Sequence, residues 1–155
     1  MTAKEYLEKV RKNSYLVKQM TQELEEIHSD IYTLQATGVS EKVSGSNTSD
    51  LADKYIKVEG YKQKVASELA AMVHLRSEAK ELIKALPDNK HQAVLYARYI
   101  NNLKWEDVTD AVNMGWSQTF ETHNAAIKAF EALHHEFLSK KIKNRIESDT
   151  RYVVQ

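Results

Sequence analysis

Two long stripes of apolar residues dominate the first half of the chain. The first lies within residues 4–35 and repeats at alternating spacings of three and four: Val10, Val17, Met20, Leu24, Ile27, Ile31 and Leu34. The second has the same spacing and runs from Leu51 to Leu86. Three polar residues interrupt the stripes: Asn13, Lys62 and Arg76. This spacing is typical of long helices that bury one side against a partner helix.

The segment that joins the two stripes, about residues 36–50, is rich in Gly, Ser and Asn and has no helical periodicity. Such a composition predicts a connecting loop. The second helix should end near Leu86, because Pro87 disfavours helical geometry in the residue before it. Residues 1–86 are therefore expected to form a long antiparallel α-hairpin.

After Pro87 the pattern changes to short amphipathic segments, predicted as helices over residues 88–101, 105–113 and 117–143. Asp88 and Ser117 are suitable N-caps. A three-residue turn containing glycine, Met114 to Trp116, is typical of a helix-turn-helix. The expected core of this domain is small: Val94, Leu95, Tyr99, Trp105, Val108, Val112, Phe120, Ile127 and Phe130. The predicted fold is all-α, with a helix-turn-helix domain over residues 87–135 and a C-terminal extension over residues 136–155.

The amino-acid composition excludes several classes of protein and of functional site. The 155 residues include no Cys, one Pro and four Gly, which excludes a disulfide scaffold, a thiolate zinc site and a cysteine nucleophile. Only Glu131 and His135 share the spacing of a helical ligand pair, and no catalytic or phosphate-cradling motif occurs. We therefore expect no metal, no cofactor and no enzymatic activity. Without an apolar run of about 20 residues or a signal peptide, a cytoplasmic protein with no membrane segment is expected.

Several groups of residues in the second half carry a family resemblance: Leu86-Pro87, Val94-Leu95, Arg98-Tyr99-Ile100, the run from Leu103 to Val108, Ser117, His123 and Ile127. In this order they resemble region four of bacterial sigma factors. More narrowly, they are similar to phage-encoded regulators of the ArpU and RinA type, which control late or packaging genes of phages in Gram-positive hosts. The resemblance covers about residues 86–130 and, more weakly, most of the chain. It implies a transcriptional regulator that binds double-stranded promoter DNA in the bacterial host cytoplasm and can contact host RNA polymerase.

A helix-turn-helix reads DNA with side chains near the start of its last helix. If the apolar residues of that helix face the core, Gln118, Glu121, Thr122 and Ala125 face outward. Gln118 can pair with adenine, and Thr122 can contact a thymine methyl group or a phosphate. Glu121 and Ala125 stand where the resembled family usually has basic residues, and Lys104 stands where it has a small polar cap.

Net charge is 0, but the charges are unevenly distributed. Residues 87–135 hold four basic and six acidic residues, whereas residues 136–155 hold five basic and three acidic residues. The extension contains a cluster of basic residues. These residues can neutralise phosphates, or they can be exposed to solvent at a helix end whose dipole favours cations. The predicted phosphate contacts are Lys104, Lys128, Lys140, Lys141, Lys143 and Arg145.

Two further hypotheses concern protein partners. Glu121 and Ala125 are not the basic residues expected on a helix that reads DNA. The chain can therefore instead be a protein-interaction module that no longer binds DNA and acts on host RNA polymerase or another host protein. Trp105 is expected in the core, whereas Trp116 in the turn is a candidate for partner contact. The imperfect stripes of the hairpin predict a homodimer that would present two reading domains to a two-fold-symmetric site.

Overall fold

The computed structural model describes the backbone of residues 1–38 and 47–151, and the side chains of residues 1–33, 36 and 52–144. Within these ranges every regular element is helical, which confirms the all-α prediction. The long helices are α1 (Ala3–Gly38) and α2 (Asn47–Lys84). Residues 39–46, the centre of the predicted loop, lie outside the described residues, and both flanks of that loop are helical.

The second half consists of four shorter helices: α3 (Asn89–Leu95), α4 (Trp105–Val112), α5 (Trp116–Leu133) and α6 (His135–Arg151). Helix α3 continues as one π-helical turn over Tyr96–Ile100. The predicted cap of α3 is confirmed, because the Asp88 carboxylate accepts hydrogen bonds from the amides of Lys90 and His91 at 2.7 and 3.3 Å. The predicted Ser117 cap is wrong, because α5 begins at Trp116 with Gly115 as its N-cap.

The chain forms two compact units. One comprises Met1–Ser14 together with the residues from Leu75 onward, and the other is Tyr15–His74. These boundaries differ from the predicted division at residue 86, because the first turns of α1 and the last turns of α2 share a core with the later helices. That core is fully buried and includes Tyr6, Leu7, Ile83, Leu86, Leu95, Tyr99 and Phe130.

Helices α1 and α2 contact each other within each unit. In the first unit, the Tyr6 hydroxyl donates a hydrogen bond to the Glu78 carboxylate at 3.0 Å. In the second, the Tyr61 hydroxyl donates to the Glu23 carboxylate. These pairings confirm the predicted antiparallel hairpin.

One helix end was predicted wrongly. The third short helix, expected to continue to about residue 143, ends at Leu133, and a new helix begins at His135. No Gly or Pro marks the break. It forms at His134, whose ring nitrogen donates a hydrogen bond to the Leu82 carbonyl at 2.8 Å and whose ring packs against Phe130 with centroids 4.6 Å apart. The break therefore coincides with a contact to α2, which is distant in sequence.

Candidate nucleic-acid interface

The turn between α4 and α5 has the geometry that a helix-turn-helix requires. Asn113 adopts the left-handed conformation with φ 51° and ψ 48°, which asparagine tolerates better than most residues. The amides of Asn113 and Met114 donate to the carbonyls of Asp110 and Thr109, each at 3.2 Å. This is the hydrogen-bond pattern of a Schellman motif, which satisfies the last carbonyls of α4. The turn therefore occupies residues 113–115, and Trp116 is the first residue of α5.

Helix α5 buries one side and exposes the other. The buried residues recur at helical spacing: Thr119, His123, Ala126 and Phe130. The predicted outward positions Gln118, Glu121 and Ala125 are exposed, and so is Lys128. Thr122 is only partly exposed, and its hydroxyl donates to the Met114 sulfur at 3.6 Å. Of the two predicted base-reading side chains, Gln118 is thus the better placed.

Three aromatic rings bring the first turns of α4 and α5 together. The Phe120 ring centroid lies 4.6 Å from Trp105, the first residue of α4, and 5.2 Å from Trp116, the first residue of α5. Trp105 is half-buried and carries the Arg98 guanidinium 4.4 Å above its ring. Trp116 remains 55% exposed. Both helix starts therefore lie at one end of the domain, with Trp116 uncovered there.

A buried, hydrogen-bonded pair of side chains joins α5 to the π-helical turn. The Tyr99 hydroxyl and the His123 Nε2 atom are hydrogen-bonded at 2.9 Å, and both side chains are buried. Burial raises the pKa of Tyr99 to about 12. Burial also lowers the pKa of His123, and the nearby cations Lys4 and Arg98 act in the same direction, against a hydrogen bond that the ring donates to the Asn124 side chain. His123 is therefore neutral at pH 7, and its role is structural.

Acidification should destabilise the protein through His123. Because the folded pKa lies below the unfolded value of 6.5, the unfolded chain takes up the proton first. The contribution of neutral His123 is present above pH 6.5 and is lost as the pH falls from 6.5 toward the folded pKa. Urea unfolding above and below pH 6.5 should show this loss, and His123→Gln should show a smaller one. An equal loss in both proteins would contradict this role.

The exposed charges between Lys104 and Lys128 are mixed. Lys104 and Lys128 are exposed, as their predicted role requires. Four carboxylates are also exposed: Glu106, Asp107, Asp110 and Glu121. The first turn of α4 contains two acidic residues, whereas the first turn of α5 contains none. Neither helix start has a side-chain cap, so its first backbone amides have no intrahelical or capping acceptor. The α5 start is the more favourable of the two for a phosphate.

The basic cluster lies on a separate helix, not at the end of α5. Helix α6 packs on α1 and α2, with Leu138 buried and the Phe137 ring edge-on to Tyr6 at 5.4 Å. Lys141 pairs with the Glu78 carboxylate at 3.1 Å and is half-buried, so this predicted phosphate contact is already used within the chain. Burial, followed by the charge of Glu78, raises the pKa of Tyr6, which donates to the same carboxylate.

The other predicted residues of this cluster have different outcomes. Lys140 and Lys143 are exposed. The side chain of Arg145 lies outside the described residues, although its backbone is part of α6. Because α5 has 18 residues, α6 begins about 27 Å along the axis from Trp116. The structure therefore does not bring the basic cluster together with Gln118 and Trp116.

The described residues also bear on metal binding and on membrane insertion. Over these residues, no group of three or more His, Asp or Glu side chains is arranged to hold a metal ion. No helix within the same ranges has both the length and the apolar character to cross a membrane.

The chain matches the family described as Protein of unknown function (DUF1492) over residues 34–131, more than half of its length. The chain belongs to this family. The DUF1492 segment includes α2, α3, the helix-turn-helix and α5 almost to its end, whereas Lys140 and Lys143 lie beyond it. Comparison with curated proteins and with solved structures gives no match.

Proposed function

We propose that this protein is a phage-type transcriptional regulator that binds promoter DNA through α4, the turn and α5. The observation that carries the proposal is the exposed side of α5, which begins at a helix-turn-helix and presents Gln118 at its first turn. In this motif the last helix enters the major groove. The family resemblance of residues 86–130 supports the same function, and it assigns the protein to the cytoplasm of a bacterial host.

Each DNA-contact residue has a role that follows from its position. Gln118 can form a bidentate contact with adenine, and Thr122 can present its methyl group to a thymine. Lys104 and Lys128 flank this face and would bind phosphates, helped by the free amides at the start of α5. Lys140 and Lys143 remain candidate phosphate contacts on α6, where they would bind outside the groove that α5 enters.

The test is duplex affinity measured over a series of salt concentrations. With a duplex from the promoter region beside the protein's own gene, log affinity should fall linearly with log salt. Lys128→Ala should reduce the salt slope by about 1. Lys64→Ala removes the same charge from an exposed position on α2 and should leave the slope unchanged. Absence of duplex binding even at low salt would overturn the proposal.

A second candidate function is supported by the exposed carboxylates. Glu106, Asp107 and Asp110 on α4 repel phosphates, and together with exposed Trp116 they form a surface suited to a basic protein segment. On this hypothesis the domain acts on host RNA polymerase or another host protein. Direct binding of purified host polymerase, abolished by Trp116→Ala and accompanied by no duplex affinity, would favour it.

We also propose that the protein forms a homodimer through Tyr15–His74. Among the described side chains of this unit, Ile31 and Val65 are the buried apolar residues. A larger set of big apolar side chains is exposed there: Tyr15, Leu16, Tyr32, Tyr55, Ile56, Tyr61 and Val73. Light scattering at tens of micromolar should give twice the chain mass of 17.8 kDa, and the mass of a single chain would contradict dimerisation.

A further inference from the structure

Trp116 is held in a fixed orientation although it is largely uncovered. Its ring packs edge-on against Phe120, with an interplanar angle of 61°, and Phe120 packs in turn against Trp105. Yet 55% of Trp116 remains exposed at the first residue of α5. In a helix that enters the major groove, this position lies close to the base edges. An oriented apolar surface is therefore available where base pairs are read.

The side chains that surround Trp116 on α5 include no cation. The exposed residues of the first three turns are neutral or acidic: Ser117, Gln118, Glu121, Asn124 and Ala125. The first basic residue of α5 is Lys128, about 18 Å along the helix axis from Trp116. Lys104 is the N-cap residue of α4, the helix that crosses the sugar-phosphate backbone in this motif.

These side chains discriminate among base pairs. Guanine is read mainly by Arg or Lys, which donate to its O6 and N7 atoms, and a Glu121 carboxylate can only accept. Adenine is read by the amide of Gln or Asn, and the thymine C5 methyl group is read by apolar contact. The first turns of α5 therefore hold readers for both members of an A·T pair and none of the usual readers for guanine.

We infer that α5 selects A·T pairs, with the Trp116 ring against a thymine C5 methyl group and the Gln118 amide on an adenine of another pair. This inference rests on the proposed function, since it names the sequence class that the same helix reads. Trp116 and Gln118 both lie in the first turn but project about 200° apart around the helix axis, so the two contacts are made on either side of the helix end that enters the groove and fall on separate base pairs. Trp116 supplies shape and apolar area, whereas Gln118 supplies the directional hydrogen bonds.

The experiment begins with the full chain and a pool of random-sequence duplexes. Selection should enrich duplexes that share A·T pairs at two fixed positions. Gln118→Ala should lower affinity for the enriched duplex at least fivefold, roughly the value of one bidentate contact. Replacing thymine by deoxyuridine removes only the methyl group, and it should lower wild-type affinity about fourfold. The same replacement should not affect binding by Trp116→Ala.

Two controls distinguish loss of the thymine contact from a general loss of apolar surface and from unfolding. Leu133→Ala removes an exposed apolar side chain of similar exposure, 51%, from the other end of α5 and should bind like the wild type. Gln118 is exposed and Gln118→Ala should fold normally, so the adenine contact stays testable even if Trp116→Ala unfolds.

Different results would overturn this inference and the proposed function. If no sequence is enriched and no duplex binds, the proposed function is overturned, and the inference with it. If G·C-containing duplexes are enriched, the inference alone is overturned. Equal sensitivity of the wild type and Trp116→Ala to deoxyuridine would likewise exclude the thymine contact while leaving DNA binding intact.

Discussion

Replacing Phe130 by alanine should lower the free energy of unfolding by about 3–5 kcal/mol. Phe130 is 0% exposed and belongs to the core that α1, α2, α3, α5 and α6 share. Its ring stacks on Tyr6 at 6.1 Å and packs against His134 at 4.6 Å. Truncation leaves a cavity that these rigid neighbours cannot fill. Because domains of this size are stable by only about 5–15 kcal/mol, the loss should be evident in a urea titration.

The matched control is Leu133→Ala, three residues further along the same helix. Leu133 is 51% exposed, so its truncation should change the free energy of unfolding by no more than about 0.5 kcal/mol. A loss below about 1 kcal/mol for Phe130→Ala would contradict the burial of this ring in the shared core.

Glu121→Lys should strengthen duplex binding roughly thirtyfold at low salt. Glu121 is exposed on the side of α5 that the proposed function places against DNA. Each unit charge beside a phosphate at 4 Å is worth about 1 kcal/mol in water, so a change of two units gives about 2 kcal/mol. The gain should shrink as salt rises, because these charges are screened by solvent ions.

The control for this charge reversal is Glu136→Lys, at the first turn of α6. It changes the net charge equally, but it lies beyond the end of α5, which is about 18 Å along the helix axis from Glu121. The two variants are compared at 0.1 M salt, where the Debye length is only about 10 Å. Glu136→Lys should therefore have a much smaller effect. If both variants bind the duplex equally well, α5 does not face the DNA. No gain for Glu121→Lys would favour the protein-interaction hypothesis.

The sequence predicted the long elements well because apolar spacing and chain breakers act locally. The stripes over residues 4–35 and 51–86 correspond to α1 and α2 within a few residues at each end. Pro87 marks the end of α2, and Asp88 caps α3 through its own neighbouring amides. The outward positions on α5 followed from the same periodicity. Gln118 and Glu121 are exposed as predicted.

The features that the sequence did not predict depend on residues far apart in the chain. The break at His134 coincides with a hydrogen bond to the Leu82 carbonyl, 52 residues away, and no helix-breaking residue accompanies it. In the sequence, Lys141 is one of four similar basic residues. In the structure, it alone of the described three pairs with Glu78, which lies 63 residues away. The Tyr99–His123 pair also joins two separate helices. Periodicity reports which face is buried but not which polar partner lies there.

The most direct test of DNA binding by α5 is a map of backbone amide NMR shifts as the selected duplex is added at low salt. Shift changes should be largest over residues 116–125 and at the Trp116 indole N–H. Smaller changes should occur at Lys104 and Lys128, where phosphates are expected. Changes confined to Tyr15–His74 or to α6, or no change at saturating duplex, would contradict the assignment of α5 as the DNA-reading helix.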